Sequence, residues 1–274
     1  MNLDEKASCC SGSGFWHLQG IERLGLPRVV VSDGPHGLRR QLEGSDHLGL
    51  GESVPATCFP AGVSLACSWD VALCREMAER LGKEALAAGV SVVLGPAVNM
   101  KRSPLCGRNF EYYSEDPYLA GEFACAYVAG LQSQGVGASV KHFAANNQEF
   151  SRMRVDTVVD ERTLREIYLP AFERAVGGAQ PWTIMSAYNR LNGRYCSESA
   201  WLLQHVLRDG WGFEGLVVSD WGGIHSRVAG VPRGADLEMP TSGGVNDRRV
   251  AAAVRSGVLS EEALDVVVKR VVSK

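Results

Sequence analysis

The feature that most narrows what this chain can fold into is a pattern repeated along it: a short apolar run that stops abruptly in polar residues. Its sharpest case is Gly215-Leu216-Val217-Val218-Ser219-Asp220-Trp221-Gly222. Consecutive apolar residues, two of them β-branched, fit a strand buried on both faces. The run then delivers a carboxylate, an indole and a glycine pair. Val29-Val30-Val31 ends likewise in Ser32-Asp33-Gly34-Pro35-His36, and Val90-Ser91-Val92-Val93-Leu94 leads into Gly95-Pro96-Ala97-Val98-Asn99. Ala138-Ser139-Val140 passes into Lys141-His142-Phe143, and Thr183-Ile184-Met185-Ser186-Ala187 into Tyr188-Asn189. Ala61-Gly62-Val63-Ser64-Leu65 is a weaker candidate strand, and Gly234-Ala235-Asp236-Leu237-Glu238-Met239 is the last one.

Helices fall between these runs. Ser68-Trp69-Asp70 supplies N-cap chemistry for a helix reaching about Ala88, with Leu73, Met77, Leu81 and Ala85 on one face. Leu119, Phe123, Tyr127 and Leu131 mark another, closed by Gly135. Asp160 starts a third, which Pro170 kinks or shifts in register. Shorter helices are predicted at residues 4–11, 200–208, 247–255 and 260–272. About seven strands alternating with helices imply parallel strands joined by helical crossovers. The predicted fold is α/β, a (β/α)8-type TIM barrel irregular in its strands, and 274 residues suit one such domain. A doubly wound sheet fits less well: Gly12-Ser13-Gly14 precedes the first strand, and no G-x-x-x-x-G-K-[ST] occurs.

A formal charge of −3 leaves no electrostatic footprint for nucleic acid or an anionic membrane. No stretch approaches the roughly 18 apolar residues of a membrane span, and Met1 leads straight into Asn2-Leu3-Asp4-Glu5-Lys6. The chain therefore reads as cytoplasmic, with neither signal peptide nor transmembrane helix. Eight cysteines without a C-x-x-C pair suggest reduced, mostly buried thiols. The six histidines show no ligand spacing, so neither metal nor cofactor is predicted.

In such a barrel, polar strand ends converge on one mouth. Here they bring Asp33, Arg108, Lys141, His142, Tyr188, Asp220 and Trp221. Each has a structural reading when taken singly: Asp220 as a helix cap, Arg108 as a surface cation, Lys141 in a salt bridge, His142 as a core histidine, Tyr188 as packing. Together they form a ring of charged groups around an aromatic platform. Charged groups make strong hydrogen bonds to sugar hydroxyls, and an indole stacks on the C–H face of a pyranose. Asp220 then reads as the nucleophile of a retaining glycosidase. A Schiff-base aldolase using Lys141 is the rival chemistry on the same fold.

Five segments carry a family resemblance. They are Ser32-Asp33-Gly34-Pro35-His36-Gly37-Leu38-Arg39, the run from Gly107-Arg108-Asn109-Phe110-Glu111 to Ser114-Glu115-Asp116-Pro117, Lys141-His142-Phe143-Ala144-Ala145-Asn146-Asn147-Gln148-Glu149, Met185-Ser186-Ala187-Tyr188-Asn189-Arg190-Leu191-Asn192-Gly193, and Val218-Ser219-Asp220-Trp221-Gly222. In this order they resemble glycoside hydrolase family 3, in particular its bacterial β-glucosidases. The resemblance implies Asp220 as nucleophile and Trp221 as part of the aglycone-side wall. It implies Asp33, Arg39, Arg108, Lys141, His142 and Arg152 as hydrogen-bonding partners of the sugar in the first subsite, with Tyr188 beside the nucleophile, holding its carboxylate. The β-N-acetylglucosaminidase branch carries K-H-F-P-G-H-G where this chain has Lys141-His142-Phe143-Ala144-Ala145-Asn146-Asn147, so that branch is set aside.

The resemblance also implies that residues 1–274 form the N-terminal barrel domain, while the general acid/base glutamate belongs to a second α/β sandwich domain absent from this chain. Glu111, Glu149, Glu198 and Glu238 are the nearest substitutes, and no motif marks them. Two expectations follow. The first is the nucleophile-bearing domain of an enzyme releasing terminal β-D-glucosyl or related residues from a small β-glucoside or oligosaccharide, either a truncated product or one half of a split enzyme whose second-domain partner supplies the acid/base; a homo-oligomer is the other partner expected. The second is a sugar-binding or inactive remnant of such an enzyme.

Overall fold

The structure, a computed structural model, describes residues 1–41 and 52–273. The stretch 41–60, whose polar and turn-forming residues predict a loop, lies partly outside the described residues.

Five parallel strands form the main sheet in the order β1 (Val31–Ser32), β2 (Val92–Val93), β3 (Gly137–Phe143), β5 (Thr183–Ser186) and β8 (Leu216–Ser219). All seven residues of β3 are buried, as a parallel strand covered on both faces requires. Beyond β8 the ladder continues as single bridges: Val218 with Leu237, Glu238 with Ser11, Gly12 with Leu18, and His17 with Val30 beside β1. The sheet thus curls round to its own first strand. The predicted barrel is present, and its strands are irregular.

The last predicted strand, 234–239, survives only as these bridges because a side chain takes over its ladder. Asp236 Oδ2 accepts the Val217 N–H at 2.8 Å, where a neighbouring carbonyl ordinarily would. Asp236 is fully buried between Arg208 and Arg270, and Arg270 Nη1 lies 3.0 Å from Oδ1. The candidate strand at Ala61 to Leu65 is also corrected. It is a helix, α2 (Gly62–Ala66), in a segment with one β-branched residue and a preceding proline.

The helices outside the barrel follow their caps. Asp70 accepts from Leu73 N at 2.9 Å to start α3 (Val71–Ala87). Asp116 accepts from Tyr118 N and Leu119 N ahead of Pro117 in α4 (Pro117–Gln132). Cys74, Met77, Ala78, Leu81 and Ala85 form the buried face of α3. Leu73, predicted on that face, is 45% exposed, one position off the stripe. After α5 (Glu161–Thr163) the helix widens over Leu164–Tyr168, where Leu169 N reaches back to Leu164 O, and Pro170 opens α6 (Pro170–Ala179). That wider turn is how the chain absorbs the missing proline N–H.

Short α7 (Arg227–Gly230) precedes α8 (Val245–Arg255) and α9 (Glu261–Val272), which pack against α1 (Leu3–Cys9) in a separate apolar cluster containing Ala7, Val250, Leu264 and Val267. At the other end of the barrel, β4 (Asp156–Thr157), β6 (Arg190–Leu191) and β7 (Arg194–Tyr195) form a small second sheet. It ties the loop after β3 to the loop after β5. Val31, Val92, Leu94, Met185, Val218, Leu237 and Met239 form a separate buried apolar cluster, and all but Met185 line a cavity of about 390 Å³.

All eight cysteines are free; four are buried, and Cys58 and Cys67 are exposed. Among the described residues no helix is long and apolar enough to cross a membrane, and no group of three acidic, histidine or cysteine side chains is placed to hold a metal.

Candidate active site

A cavity of about 390 Å³ opens where the strands end, lined by Phe15, Trp16, Asp33, Arg39, Leu94, Arg108, Lys141, His142, Arg152, Met185, Asp220 and Trp221. Eight of the nine residues singled out from the sequence line it. The ninth, Tyr188, lies against it, with the Arg152 guanidinium 4.7 Å above its ring.

The charged side chains arrive from the ends of β1, β2, β3 and β8. Lys141, the fifth residue of β3, points along the bore and donates from Nζ to Asp33 Oδ1 at 2.8 Å. Asp33 follows β1 directly. Gly34, at φ 114°, turns the chain so that Arg39 N returns to Asp33 O at 3.0 Å; a Cβ on Gly34 would sit 2.1 Å from the Gly37 carbonyl. The Arg39 guanidinium then lies 3.8 Å from Asp33 Oδ2 and over the Trp16 ring. Desolvation acts to raise the Asp33 carboxyl, but the Lys141 charge and hydrogen bond, the Gly34 amide and Arg39 outweigh it and hold the group below the usual carboxylate range.

On the opposite wall, Arg108 is paired with the buried Glu111 through Nε and donates from Nη2 to His142 Nε2 at 2.8 Å. Arg152 is held by Glu149, whose Oε2 lies 2.8 Å from Nη1. Asp220 stands between the two walls. Its Oδ1 accepts the Trp221 backbone N–H at 2.8 Å, and its Oδ2 lies 3.7 Å from His142 Nε2. Burial pushes the Asp220 carboxyl above the usual range, while Arg108, the Trp221 amide, Lys141 and Arg152 pull it back. Burial, then Arg108, Lys141 and Arg152, drive His142 well below the ordinary histidine range, so its ring is neutral.

Tyr188 stands beside the nucleophile candidate: its hydroxyl donates to Trp221 O at 2.8 Å and interacts with the Asp220 carboxylate. One oxygen of that carboxylate is also held by the backbone amide of Trp221, a partner that no side-chain pattern in the sequence supplies. The Trp221 indole donates to Phe15 O at 2.8 Å and packs 5.3 Å from Trp16. Phe15 and Trp16 come from the segment that closes the barrel, and a Gly/Ser break beside them gave no sign of a site. Glu111 and Glu149, two of the possible substitute acids, hold Arg108 and Arg152 instead.

The geometry is therefore a cup with four ion-paired cations, a buried carboxylate in Asp220 and an aromatic wall. The family model described as the glycosyl hydrolase family 3 N terminal domain matches residues 22–274. The chain belongs to glycosyl hydrolase family 3. Among relatives in that family, the thermostable β-glucosidase B of Acetivibrio thermocellus is 57% identical over 99% of this chain and 36% of its own. An exo-α-(1→6)-L-arabinopyranosidase of Bifidobacterium longum is 53% identical over 97% of this chain and 35% of its own. The solved structure of β-glucosidase 3B from Thermotoga neapolitana in complex with α-D-glucose superposes with a TM-score of 0.93 at 44% identity, covering 98% of this chain and 40% of that one. This family 3 chain spans about a third of the length of the curated relatives it matches.

Proposed function

We propose that this chain is the nucleophile-bearing part of a β-glucosidase that works with retention. The observation that carries the reading is Asp220: a buried carboxylate at a strand end, one oxygen fixed by the Trp221 amide, facing a cavity ringed by Lys141, Arg108, His142 and Arg152. A carboxylate oxygen there attacks the anomeric carbon, the glycosidic C–O bond breaks, and a glycosyl ester forms that water later hydrolyses. Asp33, Arg39, Arg108, Lys141 and Arg152 supply hydrogen bonds to the hydroxyls of the sugar, His142 lines the cup and anchors Arg108, and Trp221 with Trp16 supplies the stacking wall.

The leaving oxygen needs a proton. None of Glu111, Glu149, Glu198 and Glu238 lines the cavity. The first two are paired with Arg108 and Arg152, Glu198 accepts from Ser226 N, and Glu238 from Asn246. We therefore assign the general acid/base to the part of the longer protein that lies outside this chain. The greater length of the relatives supports this assignment, as do exposed Leu105, Phe110, Phe150 and Met153 on loops that leave the same strand ends. The aldolase reading loses its support, because Lys141 Nζ is held by Asp33.

General acid help contributes on the order of 10² to 10⁴ in rate and matters least for an acidic leaving group. This chain should therefore hydrolyse ordinary aryl glucosides poorly, yet be labelled slowly by a 2-deoxy-2-fluoro glucoside carrying dinitrophenolate. Mass spectrometry should place the label on the Asp220 peptide, and Asp220→Ala should abolish it. An α-L-arabinopyranoside probe run in parallel tests which terminal sugar fits. Label on Glu111 or Glu238 would refute the assignment, and a folded, glucose-binding chain that takes no label would favour the binding remnant.

A further inference from the structure

Asn99 lies in the first part of the loop that leaves β2, is 3% exposed, and its side chain hydrogen-bonds to His142. Its side chain spans that residue's backbone. Asn99 Oδ1 accepts the His142 N–H at 2.8 Å, and Asn99 Nδ2 donates to the His142 carbonyl at 2.9 Å. A backbone N–H can only donate and a carbonyl can only accept, so these two bonds fix which end of the amide is oxygen. That oxygen also lies 3.3 Å from His142 Nδ1. On the far side of the ring, Arg108, which has only donors to offer, meets Nε2 at 2.8 Å. Both sides require the same tautomer: the proton on Nδ1 and a bare lone pair on Nε2.

We infer that Asn99 is a positioning residue that keeps His142 in the neutral Nδ1–H form, so that Nε2 anchors Arg108 and gives no hydrogen bond to Asp220 Oδ2. The catalytic half of this statement rests on the reading of Asp220 as nucleophile. Nε2 is 3.7 Å from Oδ2. A proton there would hydrogen-bond the attacking carboxylate and blunt it, and an imidazolium would add a cation where the sugar ring itself becomes positive. The charges facing His142 are otherwise matched. Arg108 from the loop after β2 pairs with Glu111, Arg152 from the loop after β3 with Glu149, and Lys141 of β3 with Asp33; Asp220 follows β8, and the Tyr112 ring packs 6.5 Å from the imidazole.

Long-range ¹H–¹⁵N correlation spectra of the ¹⁵N-histidine-labelled chain test this directly, with the His142 signals identified by their loss in His142→Gln. The wild type should show the Nδ1–H pattern, unchanged from about pH 8 to about pH 5. Asn99→Ala should shift His142 toward the Nε2–H pattern. Asn99→Asp, which keeps an acceptor facing Nδ1 and adds a charge, should retain Nδ1–H but begin to titrate in that range. Labelling of Asp220 by the fluoroglucoside should slow by up to roughly a hundredfold in Asn99→Ala, with the far-ultraviolet dichroism of the fold unchanged. An Nε2–H pattern in the wild type, or an unaltered Nδ1–H pattern in Asn99→Ala, would overturn the inference. Should the variants not fold, the wild-type spectrum alone decides the tautomer. Failure of the wild type to label at Asp220 would instead remove the nucleophile reading and leave the tautomer result standing.

Discussion

Lys141 Nζ and Asp33 Oδ1 meet at 2.8 Å across 108 residues of chain, joining the ends of β3 and β1 over the floor of the cavity. Lys141 is almost wholly buried, while a third of the Asp33 side chain reaches solvent. Removing the ammonium leaves a carboxylate whose ionised form had relied on it. Lys141→Met should therefore cost stability toward the lower end of the roughly 3–5 kcal/mol seen when one partner of a buried pair is lost. The double variant Lys141→Met/Asp33→Asn should recover part of that cost. Urea unfolding of the four proteins checks this, and strictly additive losses would argue that the two groups are not coupled.

The carboxyl of Asp220 is raised by burial, and it must be ionised to attack. Its reaction with the fluoroglucoside should fall on the acid side with a midpoint above 3.8, the ordinary aspartate value. Arg108 is the largest of the charges that oppose that rise, so Arg108→Met should move the midpoint further up. The inactivation rate at saturating reagent, measured against pH, reads both. A lower midpoint in Arg108→Met contradicts this electrostatic account.

His142 is driven well below the usual histidine range, so the unfolded chain binds its proton first as pH falls. Its contribution to stability is complete above 6.5, the ordinary value, and is lost as pH drops from there toward the folded value. The midpoint of urea unfolding should fall through that window, and His142→Gln should flatten the slope. His36, also pushed down by burial, leaves a residual slope in the variant. Identical slopes in the two proteins would mean that His142 titrates normally.

Trp16 stands 5.3 Å from Trp221 on the aromatic wall and is joined to the loop beyond Arg39 by a 3.0 Å hydrogen bond to Gln41. Losing an aromatic contact of this kind costs about 0.5–1.5 kcal/mol, so Trp16→Ala should weaken glucose binding by roughly threefold to tenfold. Titration calorimetry reads the change. Affinity equal to the wild type would place Trp16 outside the sugar's reach.

Much of the architecture was legible because local chemistry and long-range pattern agree. Val217-Val218 and Val92-Val93 are strands for the reason their sequences suggest, burial on both faces of a parallel sheet. Asp70 and Asp116 start their helices with side chains placed three residues ahead of the N–H groups they satisfy or closer. Polar residues that follow such strands must share one end of a barrel, so the meeting of Asp33, Lys141 and Asp220 could be deduced before any coordinates. The pattern failed where a side chain competes with the backbone. Nothing local reveals that Asp236 captures the Val217 amide, or that a short run of small residues after Pro60 winds into α2.

The sequence by itself determined the barrel, the order of its strands and the set of charged groups at its mouth, because these depend on periodicity and on which residues end each run. Tertiary structure alone decided how those groups are partnered. The Trp221 amide on Asp220, the aromatic wall from the closing segment, and Asn99 astride His142 join residues distant in the chain or atoms of the backbone, whereas Glu111 and Glu149 stand only three residues from the arginines they hold. Burial then sets the protonation of Asp220 and His142, because desolvation and neighbouring charge belong to the folded cavity and have no counterpart in the order of the residues.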